Sequence, residues 1–539
     1  MSMRNDPLST SVSETEYLEG EISEAVAIYE LLYPTEKITF VFYQGADPVW
    51  SAPNITEGRF TFRPDHLNAD FLGTRQRAGA YEGAPEVTIA LSIPRRPNPN
   101  ELKRTDAPWR PIRPLWRLFA MSPMGYEKIR YAAEMRRKKR SEQKMPVGSM
   151  MRGDGAGILA KPQKPDSDKG PAILIGMHWL EVGGAEKLGF DTIEWALKAG
   201  LRVFVVASVP AVQRLAHKLP DSGDVTFIRL DRFLPHDRWP RYVANLIVKE
   251  NVSLVHIHHC IPLYESLPQI RAMTPWVKVI DSTHIVEYAD GGYPRSSGVW
   301  SEFIDVHHVI SKELVDYYRD RFQTIGKLRL GRMLDRADSE VKLPQINLVP
   351  GQKKLRVTFV GRLYYQKRPI VVVAAFRALS DWAAQNGVEL VGKIVGEGPF
   401  EDAARKLLQA YGLANAVEMY PANSPVPEIL HDSDVLLLPS NNEGLALVCY
   451  EAIEQGCIPI STNVGSQGEI VPEDLLIPLE PSAAVKGIVE TVDRLWKDRD
   501  FAVRQQDALA AAWTKISNDA TAQEALMPIY REAASANQE

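Results

Sequence analysis

From residue 171 onward, short apolar runs alternate with helical segments, and the alternation is laid down twice. PAILIG at 171–176 reads as a strand buried on both faces. Residues 184–199 carry Leu188, Ile193, Ala196 and Leu197 at helical spacing and are closed by Gly200. LRVFVV at 201–206 is the next strand, and runs at 254–258, 277–280 and 306–310 continue the set. A second set opens with LRVTFVG at 355–361. It continues with a helix near 368–385, a strand at 391–396 and a helix near 401–410, then a strand at 435–438 and a helix over 443–456. Continuously apolar strands separated by helices need cover on both faces, which is a parallel sheet with helices on each side. A chain of 539 residues exceeds what one core organises. Two doubly wound α/β domains are expected, at 171–323 and 350–482, facing each other across a cleft. The stretch 324–353 is polar and lacks a clear period. A helical tail, 483–539, is expected to cross back onto the first domain.

Chemistry-bearing residues collect where these strands end, which is where open α/β sheets bind ligands. The strand at 435–438 leads to Glu443, and Glu451 follows with seven residues between them. The pattern places Glu443 on the loop and Glu451 about two turns into the helix. Ionised carboxylates are acceptor-only and suit a polyhydroxylated ligand. The first strand leads into His178-Trp179-Leu180-Glu181-Val182-Gly183-Gly184-Ala185-Glu186-Lys187. Paired glycines at a strand-to-helix turn let backbone approach a ligand, and the new helix presents free N–H groups. GRLYYQKRP at 361–369 supplies Arg362, a planar fork for phosphate oxygens, and Lys367, a point charge; Arg368 is a further cation. VGEGP at 395–399 holds Gly396. His284 ends a strand of the first domain, and His256, His258, His259, His307 and His308 are rivals by composition, with His258 and His259 placed to line an acceptor pocket.

Residues 436–471 read LLLPSNNEGLALVCYEAIEQGCIPISTNVGSQGEIV. With the loops above, this resembles the E-x7-E signature of retaining glycosyltransferases of family 4 (glycosyl transferases group 1), which have the GT-B fold. The resemblance covers about 171–525. It implies retaining transfer of a sugar from a nucleotide-diphosphate sugar to a glycan or lipid-linked acceptor hydroxyl, with no enzyme nucleophile, metal or cofactor. Arg362 and Lys367 would then stabilise the leaving diphosphate. Glu443 would hold donor sugar hydroxyls, Glu451 the nucleotide ribose, and His284 would orient the sugar. Gly183, Gly184, Gly361, Gly396, Gly444 and Leu445 would shape the donor site. The family's E-G-F-G is Glu443-Gly444-Leu445-Ala446 here, and its later Gly-Gly is Gly465-Ser466. A same-fold epimerase, a phosphorylase, or a non-catalytic carbohydrate-binding or scaffold protein are the alternatives.

The remainder is of another character. Residues 1–100 contain β-branched and aromatic runs at 37–43, 59–62 and 86–93, the marks of a small β-rich module whose role the sequence does not assign. Residues 101–165 form a basic linker, with a helix starting at Ser122-Pro123 and running to Arg136-Arg137-Lys138-Lys139-Arg140. Over 101–144 the charge balance is +8, leaving -13 for the rest of a chain whose net charge is -5. With Trp109, Trp116 and Phe119 beside it, this segment either touches an anionic membrane peripherally or packs its aromatics on a neighbouring domain. The net charge argues against nucleic-acid binding. Three cysteines with no C-x-x-C fit a reducing cytoplasm, and no apolar run near 18 residues predicts a spanning helix.

Overall fold

A computed structural model describes residues 13–58, 70–98, 101, 108–142, 161–165, 168–181, 184–287, 291–334, 343–349 and 351–535. Gly183 and the run at 59–62 lie outside the described residues. The first large sheet has seven parallel strands: β5 (Ala172–Met177), β6 (Arg202–Ala207), β7 (Val225–Ile228), β8 (Val252–His258), β9 (Lys278–Thr283), β10 (Val306–Val309) and β11 (Leu328–Leu330). Their order is β11-β10-β9-β8-β5-β6-β7. The second has β12 (Lys354–Val360), β13 (Glu389–Val395), β14 (Val417–Tyr420), β15 (Val435–Leu438), β16 (Ile458–Thr462) and β17 (Leu476–Ile477). Their order is β14-β13-β12-β15-β16-β17.

The strand order reverses between β5 and β8 in the first sheet and between β12 and β15 in the second. At such a reversal neighbouring connections leave to opposite faces, and a crevice opens at the strand ends. The segments at 178–181, 258–260, 361–368 and 439–446 all leave from those two reversals.

Two corrections concern element limits. The helix expected over 443–456 spans Leu447–Glu454, so Glu451 stands just beyond its first turn. Residues before it stay extended because the Glu443-Gly444 backbone is pressed against other backbone, as shown below. The N-terminal module has the strands β1 (Lys37–Gln44) and β4 (Glu86–Ile93) where expected, with β2 (Asn54–Glu57) and β3 (Phe71–Arg77) on the edges of a mixed sheet ordered β2-β4-β1-β3. It also opens with an unforeseen helix, Glu14–Leu32, started by a capping box between Ser13 and Glu16.

That module and the first domain share a core. Ala25, Val26, Tyr29 and Leu32 of the helix, with Phe40, Ile89 and Leu91 of its sheet, join Leu174, Phe204, Val206, Phe233, Trp239 and Val243 in one apolar cluster. Strand alternation sorts the other face: Ile173, Ile175, Val203 and Val205 point into the cluster that continues through the second domain and the tail. The last helix, Ala522–Ser535, lies on the first sheet. Tyr530 Oη stands 2.7 Å from His256 Nδ1, and Ser253 Oγ donates to the Ala533 carbonyl at 2.9 Å.

The basic segment is docked on the second domain. Its helices span Trp116–Met121 and Pro123–Glu142. Trp109 stacks on Phe400 with ring centroids 4.4 Å apart, and its backbone N–H donates to the Pro399 carbonyl at 2.8 Å. Phe119 and Tyr126 pack edge-on against the same indole. Arg130 pairs with the buried Glu127 at 2.8 Å and lies over the Tyr365 ring. Among the described residues no helix is long and apolar enough to cross a membrane.

Trp109→Ala removes the aromatic centre of that dock. Hydrogen exchange across 116–135 is expected to rise by about tenfold or more, with exchange in β12 and β13 unchanged. Unaltered exchange in 116–135 would mean that other contacts hold the segment.

Candidate functional site

Two glycines bring backbone against backbone where the domains meet, Gly444 across the contact and Gly465 behind it. A Cβ on Gly444 would collide with the His284 carbonyl, and one on Gly465, at φ +57°, with the Glu443 carbonyl. Ser466 N–H donates to the Gly444 carbonyl at 2.9 Å, which fixes the stack. Asn442 Nδ2 reaches the Val286 carbonyl at 3.1 Å, from the second domain to the first. Ser466, where the family has its second glycine, uses its hydroxyl on Glu313 of the first domain at 3.2 Å. Glu469 Oε1 accepts the Lys312 N–H at 2.9 Å at the start of helix Lys312–Phe322, where the helix dipole favours an anion. Its carboxylate also pairs with the buried Arg332 at 2.7 Å.

Lys367 and Glu443 come together in this contact. Lys367 Nζ donates to Glu443 Oε1 at 2.5 Å, and the Glu443 side chain is 6% exposed. The loops carrying them are laced: Asn441 N–H donates to the Gln366 carbonyl, and Gln366 Nε2 to the Asn442 carbonyl, each at 2.7 Å. Gly361 and Gly396 also interlock, since a Cβ on Gly396, at φ +136°, would strike the Gly361 carbonyl. Arg362 stands apart from Lys367's pair. Its guanidinium lies 5.8 Å from the Trp179 ring centroid and 5.3 Å from that of Tyr364, within cation–π range. Trp179 Nε1 in turn donates to Glu186 at 2.8 Å. Gly184 opens helix Gly184–Lys198, Leu445 is buried, and Glu451 is half-buried. Burial raises the Glu451 carboxyl, and Lys187, from the first domain, draws it back down.

His284 is 6% exposed, and neither ring nitrogen has a hydrogen-bond partner among the described residues. Burial pushes it down to about 3, so the ring is neutral near pH 7. Around it stand residues that the motifs do not single out. The His259 ring lies 4.8 Å from it, at φ +55°, and stacks on Tyr293 with centroids 4.2 Å apart. Tyr293 Oη meets His178 Nδ1 at 2.8 Å. The available signal for His178, Trp179 and His259 was position alone, just past strands that flank the first reversal. His256 and His308 belong elsewhere: both reach Ser282 Oγ, at 2.8 and 2.9 Å, beneath the site. His307 faces Asp281 at 2.8 Å in the core. Among the described residues no group of three or more His, Cys, Asp or Glu could hold a metal ion.

Residues 344–512 match the family model of the glycosyl transferases group 1. The matched stretch contains β12–β17 and the segments of Arg362, Lys367, Glu443 and Glu451. The gpi3 subunit of phosphatidylinositol N-acetylglucosaminyltransferase from Schizosaccharomyces pombe is 22% identical over 318 residues, 56% of this chain and 68% of its own. D-inositol 3-phosphate glycosyltransferase from Rhodococcus opacus is 27% identical over 249 residues, 44% of this chain and 50% of its own. A glycosyltransferase structure from Rickettsia africae aligns with a TM-score of 0.50 at 15% identity, covering 68% of this chain and 99% of that one. The shared fold is GT-B.

The buried histidines give a pH dependence. Burial pushes His178 and His308 down to about 4 and His284 to about 3, and holds His256, His258 and His259 below the usual range. The unfolded chain binds protons near pH 6.5 that the folded chain refuses. This stability is fully present above pH 6.5 and is lost as pH falls from there toward 4, at up to about 1.4 kcal/mol per imidazole per pH unit. Glu24, pushed up to about 7 by burial and the neighbouring Glu21, works in the opposite sense, as do the carboxyls of Glu134, Glu186, Glu313, Asp434 and Glu451, which burial raises. Urea unfolding at pH 7.5 and 5.5 should show a loss of several kcal/mol; equal stability at both would contradict neutral buried rings.

Proposed function

We propose that the chain transfers a sugar, with retention of configuration and without metal, from a nucleoside-diphosphate sugar to an acceptor hydroxyl. The observation that carries the reading is His284: a buried, neutral imidazole with two unpartnered nitrogens, set against the loop that bears Gly444 and Glu443. Buried polar atoms without partners are rare and call for a ligand or water. A sugar hydroxyl can both give and accept there.

In this reading the diphosphate lies over the 361–368 loop. Arg362 offers its fork to phosphate oxygens, and Lys367 stabilises the charge that grows as the glycosidic bond breaks. Glu443 accepts donor sugar hydroxyls while its carboxylate is paired with Lys367. Glu451 accepts ribose hydroxyls, and the N-terminus of helix Gly184–Lys198 faces the anion. The departing phosphate oxygen takes the acceptor proton on the face it leaves, so no side-chain nucleophile is needed. His259, Tyr293 and His178 line the acceptor side with neutral hydrogen-bonding groups. Glycan and lipid-linked acceptors both fit, and the names of the two relatives above include a phosphoinositide and an inositol phosphate.

The test follows nucleoside-diphosphate release from a panel of nucleoside-diphosphate sugars. Arg362→Ala is expected to lower kcat by about 10²-fold or more, as loss of a transition-state donor does. Wild-type turnover by a folded Arg362→Ala, Lys367→Ala double variant would overturn the assignment. EDTA should leave turnover intact; loss restored by Mg²⁺ would replace the side-chain cations with a metal.

Peripheral contact with an anionic membrane through 101–144 accompanies this reading. Ile112, Trp116, Met121 and Ile129 are 62%, 54%, 86% and 49% exposed on a segment rich in Arg and Lys. Aromatic and aliphatic side chains among cations suit the headgroup region. Binding to phosphatidylserine vesicles should weaken with salt, since screening shortens to about 8 Å at physiological ionic strength. Neutralising Arg136, Arg137, Lys139 and Arg140 should abolish it, at about 1 kcal/mol per charge. Equal binding by wild type and variant would remove this contact.

A further inference from the structure

A buried polar chain runs from the N-terminal module to the loop after β5, and the proposed reaction makes no use of it. Glu24, on helix Glu14–Leu32, accepts the Arg229 backbone N–H at 3.0 Å. The Arg229 side chain grips Asp231 with two bonds of 3.0 Å, and Nη2 also reaches the Ala211 carbonyl at 2.9 Å. Asp231 Oδ2 accepts Gln213 Nε2 at 2.9 Å, and Val209 O accepts the same nitrogen at 3.0 Å. Gln213 Oε1 accepts the Leu180 N–H at 2.6 Å, while the Gln213 backbone N–H donates to Glu181 Oε1 at 2.9 Å. Arg214 Nε closes the chain on Glu181 Oε2 at 2.6 Å. A second tie from the same helix pairs Glu21 with Arg232.

Gln213 is the joint. It is wholly buried, and its φ of +60° is a left-handed conformation that a non-glycine residue keeps only where its surroundings hold it. Its amide orientation is fixed by its partners: Leu180 offers a hydrogen and must face the oxygen, and the Asp231 carboxylate must face the nitrogen. Only a primary amide serves both. Leu180 and Glu181 directly follow Trp179, whose ring meets Arg362 across the crevice, and precede the helix that starts at Gly184. The height of this loop in the crevice is therefore set by Gln213, Gln213 by Asp231, and Asp231 by the Arg229 that Glu24 holds.

We propose that the N-terminal β-rich module braces the loop after β5, and that Gln213 is the positioning residue through which it acts. A module that only covered one face of the first sheet would need its apolar contacts and no polar chain running through the loops at the C-terminal ends of β7, β6 and β5.

Hydrogen exchange of the full chain tests this. Gln213→Leu and Gln213→Glu are expected to raise exchange at 178–181 and 184–187 by about tenfold or more, with β8 and β9 unchanged. The first leaves the Leu180 N–H unpaired, and the second sets two carboxylates together. Asp231→Ala, which takes the carboxylate from both Arg229 and Gln213 Nε2, should loosen the same amides. Glu24→Ala should loosen the same amides while leaving β1 and β4 protected. A uniform rise over the first sheet, or an unchanged loop in these variants, would overturn the proposal. The kinetic arm rests on the transferase reading: Gln213→Leu should raise donor KM more than it lowers kcat. If wild type turns over no nucleoside-diphosphate sugar, that reading fails and the exchange data still decide this one.

Discussion

The contact between the Gly444 backbone and the His284 carbonyl sets the spacing of the whole crevice. A side chain at Gly444 would part the two domains, and one at Gly465 would displace the Glu443 carbonyl that rests on it. Because backbone meets backbone there, His284 is cut off from water and the Lys367–Glu443 pair is enclosed. Ionic and hydrogen-bonding groups act more strongly in such a site than at a surface, since little water screens them. The same closeness explains why helix Leu447–Glu454 begins late: the residues before it are spent on the interdomain contact.

Rigid sheets carry the site, and the chain's ends hold the sheets. The loops of the crevice leave from the two points where strand order reverses, so four short segments can converge without long insertions. Behind them, Ala522–Ser535 lies on the first sheet through Tyr530 and His256, while Ser282 links His256 to His308. Arg332 ties the tail to Glu469 of the second domain through Asp519, each carboxylate at 2.7 Å. The basic segment is fastened to the second domain by Trp109 and reaches Tyr365, within the loop that carries Lys367. Elements outside the two large sheets thus bear on both sides of the crevice.

The two parallel sheets were legible because apolar strands such as β5, β8, β12 and β15 announce themselves by continuous hydrophobicity. Edge strands β7, β11, β14 and β17 were not, being short or mixed in polarity, and Pro459 with Ser461 and Thr462 disguised β16. Helix Glu14–Leu32 was hidden by a polar first half, although Ser13 and Glu16 spelled a capping box. The crevice loops were found from spacing and resemblance, since Gly, Arg, Lys and Glu at strand ends have few other uses together. His259 was reached through its position at a strand end, whereas Gln213 and Tyr293 could not be found that way. Their place depends on distant packing, and a lone Gln or Tyr in a loop carries no local signal. The shared core of the N-terminal module and the first domain was equally invisible, because a sequence shows which faces are apolar but not which of them meet.

The central claim is that the crevice around Gly444 and His284 binds a nucleoside diphosphate. Thermal unfolding of the full chain with a panel of nucleoside diphosphates, in EDTA and near pH 7.5, tests it directly. At about 100 times the dissociation constant, one should stabilise the protein by about 2.7 kcal/mol. The shift should vanish in Gly444→Val, which wedges the crevice apart. No stabilisation of wild type by any nucleoside diphosphate, or an equal shift in Gly444→Val, would contradict the account.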